Sequence, residues 1–336
     1  MEETELCFPH INSSCRKQKP SYTEAVLSYT LLSFISLLTT SLNLLVIISI
    51  SHFKQLHTPS NLLLLSLAVS DFFVGLLMSF LIIFTDGCWY LGDQICAVYS
   101  FIDSTIITAP VGTMVLISVD RYVAICDPLH YHQKITVRRV SVFNVLCWTC
   151  SIIYIAVLLS DVFKQPGRYN SCYGECVIAF DYIEGIIDFI LVFVAPVTVI
   201  IVLYLRVFVV AVSQARAMRC HIAAVTIKPS KTRLQEGSNT GGLMHVMKSE
   251  IKAARTLGIV VITFLTCYSP YFCSSFLGQN FLFGSTSVTI EIWLFYFNSC
   301  LNPLIYAFFY PWFRRSVKLI VTLKIFQHGS SGANIL

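Results

Sequence analysis

SNLLLLSLAVSDFFVGLLMSFLIIF, residues 60–84, is an apolar run broken by a single charge, Asp71. A helix that crosses ~30 Å of hydrocarbon at ~1.5 Å per residue needs about 20 residues. This run is long enough, and a charge at its centre is costly enough in lipid to mark function by default. Six further runs meet the same requirement, at about 23–50, 96–126, 137–161, 181–212, 251–276 and 288–310. Composition agrees with a membrane solvent. Hydrophobic residues make up 56% of the 336 and charged residues 12%, against roughly 25% charged in soluble domains. A soluble chain this apolar would expose large sticky patches. Disorder, a collagen-like chain and a disulfide-knotted mini-protein are excluded. The expected fold is an all-α membrane protein, a seven-helix bundle. Residues 1–20 lack the apolar core of a cleaved signal peptide, so the first run is expected to insert and stay.

Charge orients the bundle. With the N-terminus outside, all of the 23 lysines and arginines except Arg16, Lys17, Lys19, Lys164 and Arg168 fall on the cytoplasmic side, as the positive-inside rule requires. Acidic residues run the other way: Asp93, Asp103, Asp161, Asp181, Glu184 and Asp188 lie in the outer half, a field that favours an approaching cation. Cysteines split by side as well. Cys7, Cys15, Cys88, Cys96, Cys172 and Cys176 lie outside, where three bridges are expected from 15 possible pairings. Asn12-Ser13-Ser14 is an outer glycosylation sequon.

The organisation read from these features is an extracellular N-terminus over 1–22, a transmembrane domain over 23–310 and a cytoplasmic tail over 311–336. A long inner loop occupies 213–250, its middle a flexible polar linker. After Pro311, Trp312-Phe313 alternates with Arg314, Arg315 and Lys318, a pattern that suits an amphipathic helix on the inner membrane surface.

Polar residues inside the spans form two groups. Asp71, Asn43, Asn298, Ser299 and Asn302, just before Pro303 and Tyr306, are expected to form one core cluster or a monovalent cation site. A purely structural hydrogen-bond network is the plainer reading. At the inner end of the third span stands Asp120-Arg121-Tyr122, and Glu250 at the start of the sixth is a candidate second partner for Arg121. Pro196, Pro270 and Pro303 interrupt the helical ladder and supply kinks.

These residues resemble the rhodopsin-like G-protein-coupled receptors, one set per span: Asn43; Leu67-Ala68-Val69-Ser70-Asp71; Cys96; Asp120-Arg121-Tyr122; Trp148; Pro196 with Tyr204; Phe264 and Cys267-Tyr268-Ser269-Pro270; Asn302-Pro303-Leu304-Ile305-Tyr306. Two positions depart from the family pattern: Tyr268 stands where a Trp is usual, and Leu42 where a Gly is. Further strings resemble the trace amine-associated receptors: residues 52–59, 88–93, 126–131 and 307–313, with Cys7, Cys15, Cys172 and Cys176 matching that family's extra bridges. The resemblance implies Cys96–Cys176, and Cys7–Cys172 with Cys15–Cys88 ahead of the exchanged pairing. It also implies a stimulatory, cAMP-raising G protein as partner, no cofactor, and a plasma-membrane site, often in olfactory epithelium.

Asp103 lies about two turns below Cys96, facing the outer cavity. By the resemblance it pairs with a ligand ammonium, with Tyr296 as its hydrogen-bonding neighbour. Asp188 lies about two turns outside Pro196. Asp181, Glu184 and Asp188 follow an i, i+3, i+7 spacing on one helical face, read as an entry funnel leading to Asp188. Two poorly solvated carboxylates on opposite walls call for two cations, so the expected ligand is a diamine or polyamine stretched between Asp103 and Asp188. The alternative is a monoamine gripped by Asp103 alone, with Asp188 facing water or bridged to a local hydroxyl. Tyr268, Tyr271, Phe272, Trp293 and Tyr296 would form the aromatic wall. No nucleophile–base set, metal spacing or phosphate loop suggests an enzyme. A cation transporter or channel could use Asp71, Asp103 and Asp188 as a path, but leaves Arg121 and Asn302-Pro303 unexplained.

Overall fold

The computed structural model describes residues 5–17, 22–81, 87–227, 256, 258–273, 286–327 and 329–335, with backbone only at 80–81, 214–227 and 286–292. Glu250 lies outside the described residues. Among the described residues, seven helices form the bundle: α1 (Tyr22–His52), α2 (Pro59–Leu81), α3 (Asp93–Cys126), α4 (Val137–Leu158), α5 (from Tyr182 to Ile227), α6 (Gly258–Cys273) and α7 (Thr286–Phe309). An eighth, α8 (Pro311–Val321), follows at the inner face. Among the described residues, α1 to α5 are long and apolar enough to cross a membrane, and α6 is a shorter apolar helix.

The helices begin where local chemistry permits. Thr136 Oγ1 accepts the Arg139 amide at the head of α4, Thr58 Oγ1 accepts the Asn61 amide at the head of α2, and Pro311 opens α8 where its missing N–H is not needed. α5 is continuous but not uniform. Its first turns, Tyr182–Asp188, pass through a wider π-type stretch at Phe189–Val194 before Ala195–Ile227. Pro196 explains the location, because it has no N–H for the carbonyl one turn earlier and the ladder must adjust there. α5 also runs past Ser213 to Ile227, so the first residues of the long inner loop, ahead of its flexible middle, are helical. Gln214–Ile227 holds four alanines and no glycine or proline, and helix propensity carries it on.

The bundle hides its polar groups and shows its apolar ones. Phe34, Leu37, Phe143, Val145, Val157, Leu205 and Phe208 are exposed on the outer surfaces of α1, α4 and α5, while Asn43, Ser70, Asp71, Asn298 and Asn302 are buried. That inversion is stable only with lipid outside. α1 and α2 touch closely: Ser36 Oγ donates to the Gly75 carbonyl at 2.6 Å. Ser66 on α2 accepts from Trp148 Nε1 of α4 at 3.0 Å and meets Thr113 of α3 at 3.4 Å, tying three helices at one point. Short polar contacts of this kind replace the hydrophobic drive that lipid cannot supply.

α8 buries Trp312 and Phe313, and Arg314 donates to the Ala307 and Phe308 carbonyls, both at 2.9 Å, closing the end of α7. Beyond it the chain returns to the inner end of α1. Ser330 Oγ meets His52 Nε2 at 3.0 Å, the Ile335 amide donates to Gln55 Oε1 at 3.2 Å, and the Ile335 side chain is fully buried. Burial of one such side chain contributes about 1.5–3 kcal/mol. Ile335→Asp should therefore undock the segment, read as faster hydrogen exchange at residues 330–335 with α3 unchanged.

Candidate functional site

The outer face is built first by disulfides. The structure pairs Cys96 with Cys176, as the resemblance implies, but Cys7 with Cys88 and Cys15 with Cys172. This corrects the favoured Cys7–Cys172 and Cys15–Cys88 pairing. The reason is strand register. Cys15 N–H donates to the Tyr173 carbonyl and Tyr173 N–H to the Ser13 carbonyl, which lays Ser13–Cys15 alongside Cys172–Gly174. Cys7, across the turn from Cys15, is left facing Cys88, with the Trp89 amide bonded to the Gly174 carbonyl. Phe8 packs between Tyr90 and Tyr173, so the N-terminal segment forms a tied cap on the outer loops.

Beneath the cap, Asp103 on α3 accepts the Tyr296 hydroxyl of α7 at 3.2 and 3.3 Å on its two carboxylate oxygens. No lysine or arginine among the described residues forms an ion pair with it. Asp188 of α5 is half-buried and its Oδ1 accepts the Tyr154 hydroxyl of α4 at 2.8 Å. Its Oδ2 has no protein donor among the described residues. Tyr271 lies in the field of both carboxylates. Glu184 takes part in the local structure of α5. Its Oε2 accepts the Asp181 amide at 3.0 Å, closing a capping box that starts α5. Asp181 itself is exposed.

An aromatic cluster joins α5, α6 and α7. Tyr268 packs at a tilt against Phe264 and Phe295 with ring centres 4.1 and 4.3 Å apart, Tyr271 meets Phe295 at 5.0 Å, and Phe272 stacks on Phe193 at 4.9 Å. Trp293 packs beside Tyr296 in a neighbouring apolar cluster. Tyr154, Phe193 and Phe295 were not expected from sequence. Phe295 is one residue before Tyr296, and Tyr154 is the lone tyrosine of an apolar span, the one available signal for it.

Deeper in the bundle the polar cluster assembles. Asn302 Nδ2 donates to Asp71 Oδ2 at 2.8 Å, and Asn43 Nδ2 donates to the Ser299 carbonyl at 3.0 Å and the Thr39 carbonyl at 2.9 Å. The side-chain oxygens of Asn43, Asn298 and Asn302 are buried with no protein donor among the described residues, as are the hydroxyls of Tyr204 and Tyr306.

At the inner end, Asp120 is a hub. Its Oδ1 accepts from Tyr131 at 2.8 Å, and its Oδ2 accepts from Ser60 and from Arg121 Nε, both at 2.9 Å, while a second Arg121 nitrogen makes a still closer ion pair. Asp120 and Arg121 are both buried, and Tyr122 is partly exposed. Burial and the Asp120 charge push the Tyr131 phenol up to about 12. In the adjoining loop, hydrogen bonds from Lys134 and His130 hold Asp127 down at about 2. Asp127 therefore stays ionised through the ordinary carboxylate range, and its pair with Lys134 is lost only as pH falls toward 2. Tyr204 of α5 packs its ring against Gly258 of α6, the nearest approach being 3.5 Å from a Cβ built there.

Residues 42–306 match the 7 transmembrane receptor (rhodopsin family), which defines the class: a multi-pass membrane receptor, not an enzyme. Over nearly the whole chain, the sequence is also similar to named receptors. It is 35% identical to trace amine-associated receptor 13c of Danio rerio, covering 99% of this chain and 97% of that one, and 38% identical to trace amine-associated receptor 7a of Rattus norvegicus, covering 98% and 92%. Trace amine-associated receptor 4 of Mus musculus is 35% identical, covering 99% and 96%. The chain belongs to the trace amine-associated receptors within that rhodopsin family.

Proposed function

We propose that this receptor is activated by an organic amine whose ammonium group pairs with Asp103. The observation that carries the reading is the Asp103 carboxylate itself, half-buried in the bundle with the Tyr296 hydroxyl as its protein donor and no cationic side chain against it among the described residues. A carboxylate in such surroundings favours a cation strongly. The aromatic cluster of Tyr268, Tyr271 and Phe272, with Trp293 to one side, suits the face of an ammonium and an alkyl or aryl chain. Asp188, bridged to the Tyr154 hydroxyl, already has a donor, and that contact supports a ligand with one positive group.

A doubly charged ligand is the second reading. It is favoured by the uncommitted Oδ2 of Asp188 and by the position of Tyr271 in the field of both carboxylates. Occupation of the cavity would draw α5 toward α3, swing α6 at Pro270 and open a cleft at Arg121 for the α-subunit of a stimulatory G protein, with Tyr204, Glu250, Asn302, Pro303 and Tyr306 as switch residues. The unsatisfied oxygens around Asp71 suit water or a monovalent cation that stabilises one of the two states. Asn12 is read as glycosylated, and olfactory neurons as a site of expression.

The test is a cAMP response to 1-aminopentane and to 1,5-diaminopentane in wild type, Asp103→Ala and Asp188→Ala. Loss of both responses in Asp103→Ala supports the anchor. With one positive group sufficient, Asp188→Ala should change the two potencies alike and by less than about threefold, since only a hydroxyl partner is stranded. Selective loss of the diamine response in Asp188→Ala would favour the second reading.

A further inference from the structure

The Tyr154–Asp188 contact has a bearing on selectivity that neither carboxylate has alone. Asp188 is half-buried on α5 and shares the surroundings of Tyr271 with Asp103, yet its donor comes from α4, at 2.8 Å. Glu184 sits four residues earlier on the same helix and within the field of Tyr154, so Asp188 also has a like charge one turn away. When the alkyl chain of a bound amine fills the cavity and excludes water, Tyr154 is the protein donor that stays with Asp188. A carboxylate stripped of its last donor in a dry site is strongly disfavoured unless a cation replaces it.

Building on the amine reading above, we infer that Tyr154 is a specificity-determining residue: its hydroxyl bonds the Asp188 carboxylate and so lets the cavity accept an amine with one positive group. With the hydroxyl present, Asp188 is satisfied when the ligand offers nothing, and a second ammonium gains little by reaching it. Without the hydroxyl, a singly charged ligand strands Asp188, while a doubly charged one rescues it. Tyr154 thereby sets the balance between monoamines and diamines without touching the ammonium held by Asp103.

The experiment is a double-mutant cycle on Tyr154→Phe and Asp188→Asn, read as the potency ratio of 1,5-diaminopentane to 1-aminopentane at matched surface expression. Tyr154→Phe should raise the ratio about tenfold, the worth of a hydrogen bond to a charged group. The same substitution in the Asp188→Asn background should leave the ratio unchanged, a readout that lost packing alone would not produce. A ratio unmoved or lowered by Tyr154→Phe overturns the inference, as does an equal rise in both backgrounds. If wild type answers the amines but Asp103→Ala answers them equally well, the anchor reading fails while the cycle still reads Tyr154. If wild type answers neither amine, both readings fall together.

Discussion

Asp103→Ala should abolish the amine response at any attainable concentration, with surface expression retained. The carboxylate sits between α3 and α7 with both oxygens turned to the Tyr296 hydroxyl. Removing one partner of a buried charge pair costs about 3–5 kcal/mol, because the other charge stays desolvated and unpaired. At about 1.4 kcal/mol per tenfold, that is a loss of two to three orders of magnitude or more. Asp103→Asn keeps the shape and should lose nearly as much, which separates charge from packing. Tyr296→Phe removes only a neutral donor and should lose about tenfold. A tyrosine variant as damaging as the aspartate variants would mean that the hydroxyl, not the carboxylate, holds the ligand.

The second large effect is expected far from the cavity, at Gly75. A Cβ placed there would lie 2.5 Å from Thr40 Oγ1 and 2.9 Å from the Thr40 backbone nitrogen. The first neighbour could rotate away, but the second is the backbone of α1. Gly75→Val would therefore drive α1 from α2 and strain the 2.6 Å bond from Ser36 to the Gly75 carbonyl. Overpacking of this kind costs about 1–3 kcal/mol, and in lipid the close approach of small residues is itself the source of helix association. The outcome should be a lower thermal midpoint in detergent and loss of most surface receptor. Normal expression and an unchanged midpoint would show that α1 and α2 are not held by this contact.

The membrane made most of the fold legible. Lipid forbids unpaired backbone groups, so uninterrupted apolar runs had to be helices, and α1 to α4 begin and end within a few residues of the runs at 23–50, 60–84, 96–126 and 137–161. Outside the lipid that constraint disappears. The cytoplasmic extension of α5 to Ile227 rests on helix propensity among residues that also suit a polar loop. The exchange of Cys7 and Cys15 depends on strand register between segments more than 150 residues apart, which no local spacing encodes. In the site, the Asp71–Asn302 and Asp103–Tyr296 bonds join residues singled out beforehand. Tyr154 was missed because its partner lies on another helix and nothing periodic marks it. Asp181-x-x-Glu184 satisfies two patterns at once, an acidic face and a capping box, and only the capping box is a local backbone bond.

The most direct measurement is equilibrium binding to the purified, full-length receptor of 1-aminopentane and of 1-pentanol, which share a chain and differ in charge. The account requires saturable binding of the amine, none of the alcohol, and loss of amine binding in Asp103→Asn. Equal binding of the two molecules, or amine binding that survives that substitution, would contradict it.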